Sequence, residues 1–384
     1  MRWQTDRRTF LQSAAAAVAA VTGRCVSPSS APDTKAFPVD LVLQNNMVNP
    51  DEVDKSMAAM AMALTQADTE AGAWQTIFQT GGKPWSEIRA AIKFNEIGPN
   101  IPRTAVLGKL CHVLVNLGMS AGNITIYGSH HAGLASLESY FSLLQGLLPA
   151  GCVLSNFDIE LGGMVSVSIP TAVKNEIQIT QCDCIKDIAE HNLDILINIG
   201  ANKGHWEEFG SFTLTMKNHF GTFSPTPYPG AAFDDSHANF SYLLAVNRSD
   251  VLIGGTVPLQ QLCLVDSLWA GSRPSPGAEG DDVPVNRLIM GTFSPAVDYL
   301  TALKIRRDLM GCDVGENVYE LLPAFGYAEA DFGQLGFVTV DTLDPLSYIG
   351  NTTASPPHIQ QINPFIDNLR VVCCHNEKIV TLEA

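Results

Sequence analysis

The sequence predicts an α/β protein with a layered, mostly parallel central sheet and helices on both faces. Two observations carry this prediction. Short apolar runs with the length of buried strands alternate with helical patterns from residue 50 onward, and glycine or asparagine turns follow the runs at 123–127 and 195–199. The 384 residues, 46% of them hydrophobic, can bury a substantial core, in one large domain or in two closely packed lobes.

The first elements follow from local signals. Residues 50–65 are acidic at their start and rich in alanine and methionine, which predicts a helix. A strand is expected at 88–95. Thr104 is then expected to cap a helix whose apolar residues recur at helical spacing until Gly118 ends it.

A possible binding turn follows the predicted strand at 123–127. Gly128, Ser129, His130 and His131 lie between this strand and a helical pattern at 134–148. Backbone N–H groups and the positive end of a helix favour an anion in such a turn. Two alternatives stay open: the histidines ligate a metal, or they cap the helix and are otherwise surface residues.

Later elements are predicted in the same way. Strands are expected within 153–180, with Asp266 at the carboxyl end of another strand at 262–265. A short helix is expected at 183–191, and a longer one is expected to begin with Ser294 as its cap and end at Gly311. A terminal hairpin is predicted within 371–382.

The stretch after the strand at 195–199 is the main candidate site. Lys203 and His205 follow that strand directly, and Lys217 and Asn218 come soon after. Ligands gather at the carboxyl ends of parallel strands, so these residues predict a pocket for an anionic or carbonyl-bearing ligand. The alternative is that the lysines are solvated loop residues and that His205 caps a helix or packs under Trp206.

These residues also resemble a known pattern. The order Asn-x-x-x-x-Lys-x-His, then Thr-x-x-x-Lys-Asn-x-x-Gly, resembles the uncharacterised family called domain of unknown function 362. The matching residues are Asn198, Lys203, His205, Thr213, Lys217, Asn218 and Gly221. The resemblance extends over about residues 88–312 and includes the early strand that ends in Lys93 and Asn95. Members of the family often have a histidine near position 237, so the resemblance implies that His237 is a second histidine of the site.

The resemblance also has departures. Ser294 stands where the family has an acidic residue before proline, whereas Asp298 keeps the second acidic position. The ferredoxin-like cysteine motifs of some members are absent, so electron transfer is not implied. The family has no general activity, and the sequence leaves the cofactor unknown.

Two hypotheses follow for function. In the first, an enzyme uses Lys203 and Lys217 to hold negative charge, His205 to move a proton, and Asn218 to donate to an oxygen. Asp266 would orient or neutralise that centre, although a turn explains a strand-end aspartate equally well. In the second, the same pocket binds a ligand or a metal without turnover.

The N-terminus predicts export. Arg7, Arg8, Phe10 and Leu11, followed by an alanine-rich run, resemble a twin-arginine signal within residues 1–30, which implies the twin-arginine translocation machinery as a partner and a periplasmic or extracytoplasmic location. Cys25 suggests lipidation, but Arg24 before it disfavours this. Residues 37–384 are then the expected single α/β domain, and no later stretch is long enough to span a bilayer.

Composition excludes one class of partner and leaves the cysteines open. The net charge of −16 disfavours nucleic acid, whose binding depends on clustered lysine and arginine. The nine cysteines form no CxxC pair. Cys182 with Cys184, and Cys373 and Cys374 with His375, remain candidates for metal binding or for disulfides.

Overall fold

The computed structural model describes residues 47–96, 100–128, 137–155, 161–174, 176–205, 211–224, 239–271, 282–327, 337–341, 359–361 and 371–375. All of them belong to one compact unit that spans residues 36–384. The helices are α1 (Pro50–Thr65), α2 (Glu70–Ile77), α3 (Thr104–Asn116), α4 (Leu137–Leu147), α5 (Lys186–Ala189), α6 (Phe240–Asn247), α7 (Asp250–Ile253) and α8 (Ser294–Leu300), which continues as a π-helix (Thr301–Arg307).

The strands are β1 (Ala90–Phe94), β2 (Ile124–Tyr127), β3 (Val153–Ser155), β4 (Met164–Lys174), β5 (Ile177–Ile185), β6 (Ile195–Ala201), β7 (Lys203–Gly204), β8 (Phe212–Thr213), β9 (Gln260–Gly271), β10 (Asp282–Gly291), β11 (Phe337–Asp341), β12 (Ile359–Gln361) and β13 (Val371–His375). Short 3₁₀ turns lie at Trp85–Glu87, Ala121–Asn123, Lys217–His219, Glu316–Glu320 and Pro323–Phe325.

Within the described ranges, nine strands form the central sheet, in the order β12-β11-β13-β10-β9-β6-β1-β2-β3. The five strands from β9 to β3 are mutually parallel, and β10 then pairs antiparallel with β9. The predicted fold class, an α/β protein with a mostly parallel sheet, is therefore confirmed. Strands β4 and β5 form a separate antiparallel pair.

Helices pack on both faces of the central sheet. On the first face, α1 to α4 cover Ile92, Ile197 and Leu264. On the second face, α8 covers Cys263 and the neighbouring strands, while α6 and the β4–β5 pair cover β1 and β6. Since successive strand residues point to opposite faces, each buried strand contributes to both cores, which explains its continuous apolar sequence.

Several predicted boundaries are correct and two are wrong. Helix α1 has the predicted bounds, and β6 begins at the predicted residue. The helix predicted at 183–191 is wrong, because β5 continues to Ile185 through pairing with β4 and leaves only four residues of helix. Asp266 is not at a strand end, because pairing with β6 and β10 extends β9 over twelve residues.

The two predicted helix caps are also different in the structure. Arg103 is the N-cap residue of α3, and Thr104 is its first helical residue. Phe293 is the N-cap residue of α8, whereas Ser294 lies inside the helix and hydrogen bonds to the Thr215 hydroxyl at 2.6 Å. Neither N-cap residue makes a side-chain capping hydrogen bond.

Some predictions lie outside the described residues. These are the signal segment with Cys25, the turn residues Ser129, His130 and His131, His237, and the second half of the terminal hairpin. The first half is β13, which pairs with β10 and β11. Among the helices that the structure describes, none combines the length and the hydropathy that a membrane crossing requires.

Candidate functional site

The strand order defines a switch point between β1 and β6. From β1 the chain proceeds outward to β2 and β3 on one side, and then returns to β6 and β9 on the other. In open α/β sheets, the crevice beyond the carboxyl ends of two such strands is the usual ligand position. The ends that flank this crevice carry Asn95, after β1, and Lys203, after β6.

A hydrogen bond joins these two strand ends. The Lys203 ammonium group donates to the Asn95 side-chain oxygen, and both side chains are buried. Lys203 is held by the short pairing of β7 with β8, and His205 is held by its backbone N–H, which donates to the Ser211 carbonyl at 3.0 Å. His205 is also buried. The structure thus brings Asn95, Lys203 and His205 to the carboxyl end of the sheet, as the sequence suggested.

Glu96 belongs to the same strand end. It is buried directly after Asn95, and its carboxylate occupies the space that a side chain on Gly128 would fill. Gly128 follows β2, so the absence of its Cβ lets Glu96 reach across from β1. A carboxylate and an ammonium group therefore lie at adjacent strand ends.

Arg306 adds a second cation at this end. Its Nη1 atom donates to the Asn202 side-chain oxygen at 2.6 Å and to the Gly271 carbonyl at 3.1 Å, so the guanidinium spans the ends of β6 and β9. Its Nε atom is buried and has no hydrogen-bond partner within the described part of the chain. Burial lowers the pKa of Arg306 from its ordinary value.

Lys217 lies near Arg306 and Asp298. Its ammonium nitrogen is buried without a hydrogen-bond partner among the residues that the structure describes. Burial holds the pKa of Lys217 well below its ordinary value; Asp298 acts to raise it and Arg306 to lower it. Two buried cations with unused donors are therefore close enough to act on each other.

Asp298 is a structural anchor as well as the counter-charge of Lys217. Its two oxygens accept from the backbone N–H groups of Thr215 and Met216, at 2.9 and 2.8 Å, and from the Thr215 hydroxyl. Burial raises the pKa of Asp298 to about 6, although these hydrogen bonds and Lys217 act to lower it. Asp298 thereby fixes residues 211–224, which we call the covering segment, to helix α8.

The covering segment lies on a polar row of the sheet. Tyr127, Lys93, Asn198 and Cys263 are neighbours on β2, β1, β6 and β9 and share the second face. The Lys93 ammonium group donates to the Phe94 carbonyl at 2.8 Å and to the Asn218 side-chain oxygen at 3.3 Å, and it lies 5.7 Å from the centre of the Tyr127 ring. Burial lowers the pKa of Lys93 to about 7, while Glu96 acts to raise it.

Asn218 and His219 tie the covering segment to this row. The Asn218 amide donates to the Asn198 side-chain oxygen at 2.8 Å and to the Ile199 carbonyl at 2.9 Å. His219 Nε2 lies 2.7 Å from the Gln260 side-chain oxygen and 3.1 Å from the Asn198 amide nitrogen. Burial lowers the pKa of His219 to about 3, so its ring is neutral. Asn218 is therefore a structural link rather than a free donor.

Asp266 does not take the orienting role expected from the sequence. Its oxygens accept from the backbone N–H groups of Arg103, at 2.6 Å, and Leu268, at 3.0 Å, and it faces the Arg103 guanidinium. Leu264, two residues earlier, packs in the first-face core, so Asp266 is on the opposite face from Asn198 and the covering segment. Asp266 fixes the start of α3 instead of a histidine.

Sequence reasoning missed three residues of this region. Glu96 follows the end of β1, so the position after a strand end, which selected Asn95, would also have selected Glu96. His219 comes directly after Asn218, but no spacing distinguishes it. Arg306 lies on a helix more than a hundred residues from Lys203, so only the folded chain shows its position.

Within the described residues, the geometry supports neither a metal site nor a disulfide at the candidate cysteines. No group of three or more His, Cys, Asp and Glu side chains is arranged to hold a metal ion within the described ranges. Cys373 packs in the core of the second face and Cys374 in that of the first, because successive strand residues point apart. Cys182 and Cys184 are buried on one face of β5, and both are free thiols.

The fold and the site define a class: an α/β protein with buried cationic side chains at the carboxyl ends of its parallel strands. The comparisons with known proteins add no family to this class. No protein-family model matches the chain, and no curated protein shows significant similarity to it.

Proposed function

We propose that the chain binds a small anionic or carbonyl-bearing molecule at the switch point and acts on it as an enzyme. The observation that carries the proposal is the hydrogen bond from Lys203 to Asn95, which places a buried cation between the carboxyl ends of β1 and β6. Arg306 supplies further positive charge in a chain whose net charge is −16, and Lys217 supplies a buried amine whose charged form an anionic ligand would favour.

The roles follow from charge and burial. Lys203 and Lys217 hold the negative charge of the ligand, Arg306 adds to the positive potential, and His205 exchanges a proton with the bound molecule. Because these side chains are shielded from water, each interaction with a negative group is stronger than it would be on the surface. Proton removal next to a carbonyl, with the enolate stabilised by the cations, is the reaction class that fits these groups.

A second candidate is ligand binding without turnover. It is favoured by one observation: both oxygens of Asp266 are used by backbone N–H groups on the opposite face, so Asp266 does not orient His205 as a catalytic base. A binding protein needs only converging donors, and the buried lysines supply them.

Calorimetric titration with inorganic phosphate and with pyruvate tests the site itself. We expect saturable binding of at least one probe to the wild type and at least about tenfold weaker binding to Lys203→Met. Lys55→Met is the matched control, because Lys55 is 57% exposed on α1, and it should bind as the wild type does. Equal affinity of Lys203→Met and wild type, or no binding of either probe, would contradict the proposal.

Lys217→Met separates binding from folding. The substitution removes a buried amine without a hydrogen-bond partner, so urea unfolding should show equal or greater stability. Anion affinity should nevertheless fall. A variant that binds phosphate and pyruvate as tightly as the wild type would exclude Lys217 from the site.

Hydrogen exchange of pyruvate in D₂O distinguishes the two candidates. An enzyme that removes a proton beside a carbonyl should accelerate loss of the pyruvate methyl signal in proton NMR spectra. His205→Gln should abolish this acceleration while pyruvate binding persists. Pyruvate binding to the wild type without accelerated exchange would favour the second candidate.

The N-terminal sequence extends the proposal to location and family. The pattern around Arg7 and Arg8 supports export through the twin-arginine machinery to the periplasm, and the Lys/His spacing supports membership of the domain of unknown function 362 family. Cell fractionation tests export: replacing both Arg7 and Arg8 by lysine should retain the protein in the cytoplasm. An unchanged distribution would remove the export proposal and leave the site unaffected.

A further inference from the structure

A cavity lies at the other end of the parallel strands. Its volume is about 630 Å³, within the size range of small-molecule sites. Gln260 and Gln261, the first residues of β9, form part of its wall, together with the ends of α1 and α2 and the start of α8. The cavity is therefore separated from Lys203 and His205 by the length of the sheet.

The lining of this amino-end cavity carries no ionisable side chain among the described residues. About half of the lining residues are polar, and the polar ones are hydroxyl or amide side chains. The amides are Gln66, Gln79, Asn247, Gln260 and Gln261. In a chain with 39 acidic and 23 basic residues, this lining selects for a ligand without charge.

Asn247 carries an unused acceptor. It is 3% exposed, and its amide nitrogen donates to the carbonyls of Met216 and Leu243, at 3.1 and 3.0 Å. These two bonds fix the orientation of the side chain. Its oxygen, Oδ1, is buried and has no hydrogen-bond partner in the part of the chain that the structure describes. Because this oxygen has almost no accessible surface, Asn247 shapes the cavity wall and does not itself meet a ligand.

Gln260 presents a donor. Its side-chain oxygen accepts from Asn198, at 3.0 Å, and lies 2.7 Å from His219 Nε2. Its amide nitrogen takes part in neither bond. The fixed oxygen therefore orients the NH₂ group as a preset donor in the cavity wall.

One wall is apolar and aromatic. Phe293 and Phe325 lie with their ring centres 5.4 Å apart at an interplanar angle of 89°, and Pro258 and Pro295 lie beside them in the lining. Such a wall matches the C–H face of a sugar ring, while amides and hydroxyls match its edge. A purely apolar ligand would use only one of these two features.

We propose that the amino-end cavity binds a neutral sugar, with a ligand hydroxyl accepting from the Gln260 amide nitrogen. The aromatic wall contacts the ring face. This site is independent of the switch-point site, because it uses different residues and a ligand of different charge.

Saturation-transfer NMR and calorimetry with glucose and N-acetylglucosamine test the proposal. Ile253→Trp and Ile177→Trp are a matched pair, since both isoleucines are partly exposed, at 37% and 49%, but only Ile253 lines the cavity. We expect saturable binding of at least one sugar to the wild type and to Ile177→Trp. Ile253→Trp should bind at least about tenfold more weakly, because the larger indole takes part of the space that the sugar needs.

Three results would overturn the proposal. The first is no saturable binding of either sugar to the wild type, and the second is unchanged affinity of Ile253→Trp. The third is binding of glucuronate or of a neutral dipeptide at least as tightly as glucose, which would mean that the cavity does not select a neutral sugar. Because Lys203→Met leaves this cavity intact, the sugar affinity of that variant should be unchanged, whether or not its phosphate affinity falls.

Discussion

The two ends of the parallel sheet differ in one physical respect, the presence of charge. At the carboxyl end, the charged side chains of Glu96, Lys203 and Arg306 are buried. At the amino end, the described lining of the 630 Å³ cavity has only amides, hydroxyls and apolar groups. The same strands thus support two environments that differ in charge.

The difference shows where the burial of ionisable side chains reduces the free energy of unfolding. Desolvation lowers the pKa of Lys93 and Lys217, which means that the folded state disfavours their charged forms. A stable fold could place apolar side chains at these positions, so their retention fits a binding role. The amino-end cavity carries no comparable electrostatic cost.

The largest expected effect comes from Gly200→Ala, a substitution near the carboxyl end of β6. A Cβ at Gly200 would lie 2.8 Å from the Leu214 carbonyl carbon and 2.9 Å from its oxygen, so the covering segment would have to move off β6. We expect a loss of about 3 kcal/mol in the free energy of unfolding, measured with urea.

Gly146→Ala is the control for Gly200→Ala. Gly146 lies on α4, and a Cβ there meets nothing within 4 Å. Alanine should stabilise this helix by about 0.5–1 kcal/mol. If Gly200→Ala is as stable as the wild type, the close approach of the covering segment to β6 is not as described.

The pH dependence of stability is the next effect. The pKa of Lys93 is about 7 in the folded chain and has its ordinary value of 10.5 in the unfolded chain. Between these values the unfolded state binds more protons, so the free energy of unfolding should rise with pH. Relative to Lys93→Met, the wild type should gain on the order of 3 kcal/mol between pH 6 and pH 9.5, measured by urea denaturation.

Lys55→Met serves as the reference for this titration because Lys55 is exposed. The difference between wild type and Lys55→Met should stay nearly constant over the same range. A constant difference between wild type and Lys93→Met would show that Lys93 keeps an ordinary pKa. The amino-end cavity contributes nothing to this pH window, since its described lining does not titrate.

The smallest expected effect is that of ionic strength on binding. Raising the salt concentration from about 0.01 M to about 0.15 M shortens the screening length from about 30 Å to about 8 Å. Phosphate binding at the carboxyl end should weaken by about three- to tenfold, measured by calorimetry. Glucose binding at the amino end should change by less than about twofold. If phosphate binding and glucose binding depended equally on salt, the proposed difference in charge between the two ends would be wrong.

Local sequence was sufficient for elements whose signals are contained within them. The bounds of α1 follow from its proline, acidic first turn and alanine-rich body, and β6 follows from its apolar run. It was insufficient for Asp266, because the length of β9 depends on its pairing with β6 and β10. The same limitation explains Ser294, whose hydroxyl bonds to Thr215 on a distant segment.

The residues of the candidate site also divide into those that local sequence predicts and those that only the folded chain shows. Asn95, Lys203 and His205 were predictable, because residues that follow buried parallel strands collect at one edge of the sheet. Lys217 and Asn218 were selected by spacing, but only the fold shows that Asn218 is tied to Asn198 and that Lys217 faces Asp298 and Arg306. Arg306 and the amino-end cavity had no local signal.

The sequence by itself determined the α/β class, most strand and helix positions, and the cationic strand end at Lys203. Tertiary structure decided the strand order, the face that each polar side chain occupies, and the neutral lining at the opposite end of the sheet. The physical reason is that periodicity and turn chemistry act over a few residues, whereas desolvation and charge pairing depend on segments far apart in the chain.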